Sequence, residues 1–296
     1  MTTFGDMVFQ LGGVPVGGIP IFFGQQSKYY FVDVTNGNDD SNGLSPSSAK
    51  ATIASAITAI NARVDWSASP WSNHDVILIA PGTYTENLTS LPYGATLYGL
   101  GLDLRDAQNG VKIKPATGAP VDVGTCINTA FYNINFETAE TDAGDPCFDA
   151  DICNNNQFIN CRFSGPAESA TAVGFVTKDA VANKFLDCEF DCLDKGIDVN
   201  YADGGDSFSH NLIRDCRFTQ IDTAGIEIST NLVGPSSIVE RCVFAGAGQT
   251  MAIGVDDNSG ILDLVDLYIT ATDPVDSCRS ANGCYGNGSL LNSSGE

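Results

Sequence analysis

Basic residues are scarce: 14 Lys and Arg stand against 36 Asp and Glu, a formal charge of −22. A polyanion of this size repels nucleic acid and anionic membranes, so neither is expected as a partner. Histidine is scarcer still, with only His74 and His210. Neither is flanked by glycine, and no Ser-His-Asp arrangement or nucleotide-binding loop accompanies them. Cysteine is present, but no CxxC pair or zinc-ligand spacing exists. No apolar run reaches the roughly 18 residues of a membrane span. The opening stretch, MTTFGDMVFQLGGVPVGGIPIFFGQ, has no Lys or Arg and is broken by Gly and Pro. It lacks the basic and continuous apolar regions of a secretory signal, so folding in a reducing cytoplasm is expected.

What the chain does have is repetition. The segments YNINFET, FINCRFSG, FLDCEFDC, IRDCRFTQ and VERCVFAG align on Phe136, Phe163, Phe190, Phe218 and Phe244, at spacings of 27, 27, 28 and 26. Two positions earlier stand Ile134, Cys161, Cys188, Cys216 and Cys242. A second column, Phe148, Phe175, Ile197, Ile226 and Ile253, usually follows a glycine (Gly174, Gly196, Gly225). Two short strands per repeat of this length leave no room for a β-α-β crossover with its helix. A solenoid coil fits, because stacked neighbours complete the core that one coil cannot close. Parallel crossovers are overwhelmingly right-handed. The expected fold is all-β: a right-handed single-stranded parallel β-helix with an N-terminal capping helix.

Alternation points the Phe and Cys of each repeat inward and the residue between them outward. The outward column then reads Arg162, Glu189, Arg217, with Glu189 expected to be exposed between the two arginines. In-register thiols sit about one strand spacing, roughly 4.8 Å, apart, beyond the Cβ separation of about 3.8 Å in a disulfide. Cys161, Cys188, Cys216 and Cys242 therefore read as small buried hydrophobes. Cys278 and Cys284, in a Gly/Ser/Asn-rich tail, are the pair left open to bonding.

The expected division is an N-terminal anchor over 1–27, a strand, loop and capping helix over 28–74, coils over 75–271, and a polar tail over 272–296. Within the second part, residues 29–34 read as a strand and 36–43 as a turn-rich loop. Ser45-Pro46 reads as an N-cap with Pro at the first helical position. Ile53, Ile57 and Ile60 form one apolar helical face. Asn38, Asp40 and Asn42 before Gly43 copy the first half of an EF-hand loop, which makes them candidate calcium ligands. The bidentate Glu that would complete such a loop is Ala49, and an Asx-rich turn is the default.

The loop NGNDDSNGLSP, the capping-helix pattern and the strand ending Ala80-Pro81-Gly82-Thr83-Tyr84-Thr85-Glu86 resemble the pectin-lyase-like superfamily. The likeness is close over residues 29–101, and the coil pattern extends it to about 271. It implies a β-helix that hosts polysaccharide lyases, glycosidases and phage tailspikes alike, and fold alone does not choose among them. The segment GDMVFQLGGVPVG resembles N-terminal peptides of predicted virion proteins of tailed phages.

Candidate chemistry is thin. Asp198 and Glu227 are expected on adjacent coils, near the 5–5.5 Å of a retaining glycosidase pair. With 36 acids in the chain, such neighbours also arise by chance. Asp142, Asp145, Asp149 and Asp151 cluster without an Arg or Lys in the same stretch, as a calcium-dependent lyase would need. The Gly-His-Gly of polygalacturonase-like proteins is absent. No cofactor is expected beyond the open calcium option. The preferred expectation is a non-enzymatic virion component on the particle surface, a trimer as the resemblance implies, with a cell-surface glycan as a further partner. Its anchor would be the apolar leader: Phe4, Met7, Phe9, Leu11, Val14, Phe22 and Phe23. The rival is a carbohydrate-active tailspike or a glycan-binding adhesin.

Overall fold

The computed structural model describes residues 27–63, 74–101, 103–106, 108–139, 145–165, 171–200, 207–230, 232, 234–245 and 251–291. It also gives the backbone of a small antiparallel pair, Gln10–Leu11 with Val14–Pro15. The chain winds as a right-handed parallel solenoid with three faces. The first face is a ten-stranded ladder from Tyr29–Val32 and Val76–Ile79 through Ala130–Tyr132, Gln157–Ile159 and Lys184–Leu186 to Ser280–Asn282. The second runs from Gly82–Tyr84 through Ile134–Glu137 and Arg162–Ser164 to Tyr285–Gly286. The third begins at Val121–Ile127, Pro146–Asn154 and Val173–Val181. Three long strands, Glu189–Val199, Arg217–Ile228 and Tyr268–Ser277, bend through both the second and third faces.

Three phenylalanine stacks fill the interior. On the second face Phe136, Phe163, Phe190, Phe218 and Phe244 lie in register, as expected. On the first face Phe131, Phe158 and Phe185 stack with centroids 4.9 and 4.8 Å apart. Phe148 and Phe175 stack on the third and meet Phe158 edge-on, at 5.1 and 5.6 Å. Aromatic rings prefer such offset and edge-to-face contacts. Each buried Phe contributes roughly 1.5–3 kcal/mol of apolar transfer.

The third-face column needs one correction. Ile226 stands opposite Val255, whereas Ile253 stands opposite Ala224. The reason is a glycine column, Gly174, Gly196, Gly225 and Gly254, that lies against the inward side chains of the second face, three phenylalanines and Ile269. A Cβ at Gly196 would come within 2.6 Å of the Phe218 ring, and one at Gly225 within 2.4 Å of Phe244. Glycine holds the inner position, so the large side chain comes one residue later.

The corners are built from polar residues. Between the first and second faces, Asn133, Asn160, Asp187, Asp215, Arg241 and Asp266 all adopt positive φ, mostly residues that tolerate the left-handed region. A buried cysteine follows four of them, Cys161, Cys188, Cys216 and Cys242, and its thiol donates to a first-face carbonyl of the preceding rung, as in Cys188 Sγ to Phe158 O at 3.3 Å. None of the ten cysteines is in a disulfide, Cys278 and Cys284 included. At the opposite corner Asn156, Asn183 and Asn211 form a buried amide ladder. The Asn183 Oδ1 accepts from the Asn156 backbone N–H, and Asn211 Oδ1 does the same for Asn183.

The cap is the helix α1, Ile53–Arg63, with Ile53, Ala56, Ile57 and Ile60 buried over the core. Ser45-Pro46 opens only a short 3-10 turn, Pro46–Ser48, and the α-helix starts later. Two distant carboxylates satisfy its N-terminal amides. Asp39 Oδ1 accepts from Ala51 and Thr52, and Glu86 accepts from Ile53 and Ala54. At the other end stacking runs past residue 271, because Ser280–Asn282 and Tyr285–Gly286 keep register with the rungs before them. An antiparallel strand, Ser289–Leu290, closes the second face. No helix among the described residues is long and apolar enough to cross a membrane.

Candidate functional site

Parallel register turns one outward position per rung into a strip along the third face: Asp122, Asp149, Val176, Asp198, Glu227, Asp256. The solenoid therefore brings Asp198 and Glu227 onto neighbouring rungs. Asp149 is not next to them, because Val176 intervenes; its neighbour is Asp122.

Lys195 decides the chemistry of the Asp198–Glu227 pair. Its ammonium lies 3.3 Å from Asp198 Oδ2 and 3.0 Å from Glu227 Oε2. Burial alone would lower the Lys195 pKa, but the two carboxylates outweigh it and raise it. Burial raises the Asp198 pKa, against the pull of Lys195. Only 8% of Asp198 is exposed. A retaining glycosidase needs one carboxylate free as nucleophile; here both share one cation.

The second cluster is less constrained. Burial, then the charges of Asp122 and Asp151, push Asp149 up to about 6. Lys178, on the rung above, pairs with Asp151 at 2.5 Å. The local sequence lacks a basic residue, but the next coil supplies one. Of the rest of that stretch, Asp142 lies outside the described residues.

Several sequence candidates take structural roles. Asn38 Oδ1 accepts the Asp40 N–H, and Asn42 Oδ1 accepts the Leu44 N–H and the Ser48 hydroxyl. Lys50 donates its ammonium to the Asp39 and Ser41 carbonyls, at 3.0 and 2.9 Å. A lysine thus ties the loop together from within. No cluster of three His, Cys, Asp or Glu suited to a metal ion occurs among the described residues. His210 occupies a corner at positive φ, and His74 is exposed at the cap. Glu189 is half-buried rather than exposed, because Arg105 folds over from a distant loop to pair with it, and Arg162 lies beside it at 3.4 Å. Leu11 and Val14 pair through the backbone. Phe4, Met7, Phe9, Phe22 and Phe23 lie outside the described residues.

The family model for a right-handed beta helix region matches residues 101–264, more than half of the chain. The chain belongs to the right-handed β-helix family. No curated protein matches it. For a right-handed β-helix the rungs explain how Lys195 and Lys178, the residues the sequence reading missed, reach their carboxylates. Lys195 stands three residues before Asp198 and was legible. Lys178 was not, since only the rung register brings it to Asp151.

Proposed function

We propose that the chain is a non-enzymatic structural module of a tailed-phage virion: a capsid decoration, fibre or spike element tethered by its N-terminal segment. The observation that carries the non-enzymatic part is the Lys195 bridge, which ties both members of the best-placed carboxylate pair to one ammonium. The stacked phenylalanine core and capped end suit a stiff projecting rod. The leader's resemblance to predicted virion proteins supplies the setting. Further copies of the chain, most simply in a trimer, and other virion subunits are its partners on the particle surface. Incubation with acidic polysaccharides, with and without calcium, is expected to release neither unsaturated products nor new reducing ends. Activity lost in Asp198→Asn or Glu227→Gln would replace this reading with a glycosidase.

One observation favours a lyase as the second reading: Lys178 stands beside the Asp149–Asp151 carboxylates. Unsaturated products that require calcium and vanish in Lys178→Gln would establish it.

A further inference from the structure

A lysine, an amide and a carboxylate meet on the outer side of the second face, towards its capped end. Parallel register sets Lys112 directly opposite Asn135 on the next rung, about one strand spacing away. Glu137 lies two residues beyond Asn135 on the same strand, so its side chain leaves on the same side. Lys112 does not run straight out to solvent. Its ammonium crosses to Glu137 Oε2 at 2.5 Å, and only 17% of its side chain is exposed. A lysine that starts opposite Asn135 and ends on Glu137 carries its amine past the Asn135 amide. Lys114 holds the other Glu137 oxygen at 2.6 Å. It follows Ile113, the partner of Phe136, and therefore faces Glu137 and not Asn135.

Asn135 is fully buried although it points away from the core. Its Oδ1 accepts the hydroxyl of Ser164, also fully buried, at 3.0 Å. Its Nδ2 is buried with no hydrogen-bond partner among the described residues. Buried amides are normally paired at both ends, so an orphaned donor beside a shielded amine calls for a reason.

We propose that Lys112 and Asn135 join in an intramolecular isopeptide bond, formed after folding, with Glu137 carrying the protons. Glu137 takes a proton from the Lys112 ammonium and leaves a neutral amine, the nucleophilic form. Nζ attacks Asn135 Cγ, while the Ser164 hydroxyl stabilises the charge growing on Oδ1. The proton passes from Glu137 to Nδ2, and Glu137 then removes the surplus proton from Nζ. The Cγ–Nδ2 bond breaks and a Cγ–Nζ amide remains. Ammonia departs with that last proton as ammonium, so Glu137 ends ionised and nothing is oxidised or reduced.

Burial pushes the Glu137 pKa up, but the hydrogen bonds from Lys112 and Lys114 outweigh it and lower it. The first proton transfer is therefore uphill, and closure is a slow, single event. The bond staples the rung of Val111–Ile113 to that of Ile134–Glu137. It needs no virion setting and stands apart from the proposed function.

The test is intact-mass spectrometry of the full-length chain after prolonged incubation at neutral pH, followed by peptide mapping. The wild type should be lighter than its sequence by one ammonia, and one branched peptide should join Lys112 to Asn135. Lys112→Arg keeps a cation for Glu137 but has no amine to acylate. It should run at full mass and melt cooperatively, below the wild type. Glu137→Gln should also keep its ammonia. A wild type at full sequence mass would overturn the proposal. So would an ammonia deficit that persists in Lys112→Arg, or one that maps to a succinimide at an Asn-Gly step such as Asn36-Gly37. Closure of Glu137→Gln at the wild-type rate would overturn the proton-carrying role.

Discussion

Phe190 and Phe218 face one another across adjacent rungs, ring centroids 4.7 Å apart and planes inclined by only 3°. Both are fully buried, so neither ring can be lost without opening a void between the rungs above and below. Truncating Phe190 to Ala should cost about 3–5 kcal/mol, read as a lower denaturant midpoint. Phe190→Asp adds an unpaired buried carboxylate and should abolish soluble expression. A soluble, cooperatively folding Phe190→Asp protein would contradict this view of the core.

Gly196 marks a close approach of the third-face backbone to the second-face rings. A methyl group there would meet the Gly225 carbonyl at 2.5 Å as well as the Phe218 ring at 2.6 Å. Because backbone as well as side chain is in the way, Gly196→Ala should lower stability by on the order of 1–3 kcal/mol. Gly124, where an added Cβ would meet nothing within 4 Å, is the control. Equal melting temperatures for Gly196→Ala and Gly124→Ala would refute the packing argument.

Asp149 gives a pH-dependent test. Its pKa is raised from 3.8 to about 6 in the folded chain, first by burial and then by Asp122 and Asp151. Between those two values the folded state holds a proton that the unfolded state releases. Stability is therefore lost as pH rises through this window and stays lower above it. Asp149→Asn should raise the melting temperature at pH 7.5 and change little below pH 4, around and below the two-state pKa values. An Asp149 carboxyl that titrates near its ordinary value by NMR would remove the effect.

Much of this fold was legible in the sequence, and the omissions have physical causes. The second-face column of Phe136 to Phe244 appears directly as a repeat, because every rung places a large ring there. The first-face column was legible too: Phe131, Phe158 and Phe185 each stand five residues before a second-face Phe. Asn133, Asn160, Asp187 and Asp215, each just before the inward Ile or Cys of its repeat, were a further signal for the left-handed corners. Ile253 was misplaced because it precedes its glycine, whereas on each rung of the glycine column the large side chain follows the glycine, here Gly254 and Val255. The Glu189–Arg105 pair was beyond reach, since those partners lie 84 residues apart and meet through a loop with no periodicity. At the candidate site, the Asp198–Glu227 neighbourhood followed from repeat arithmetic. The weight of Lys195 did not, because its effect depends on distances that only the folded rungs fix.

The most direct measurement of the central claim compares the full-length chain with one lacking residues 1–27, by sedimentation and electron microscopy of particles carrying each. The first described rung begins at Tyr29–Val32 and pairs with Val76–Ile79, so the truncated chain keeps every described rung of the solenoid. The account predicts a soluble, thermally stable, monomeric β-helix that no longer joins its assembly, while the full-length chain does. Normal assembly by the truncated protein, or a full-length chain that stays monomeric and unattached to particles, would contradict it.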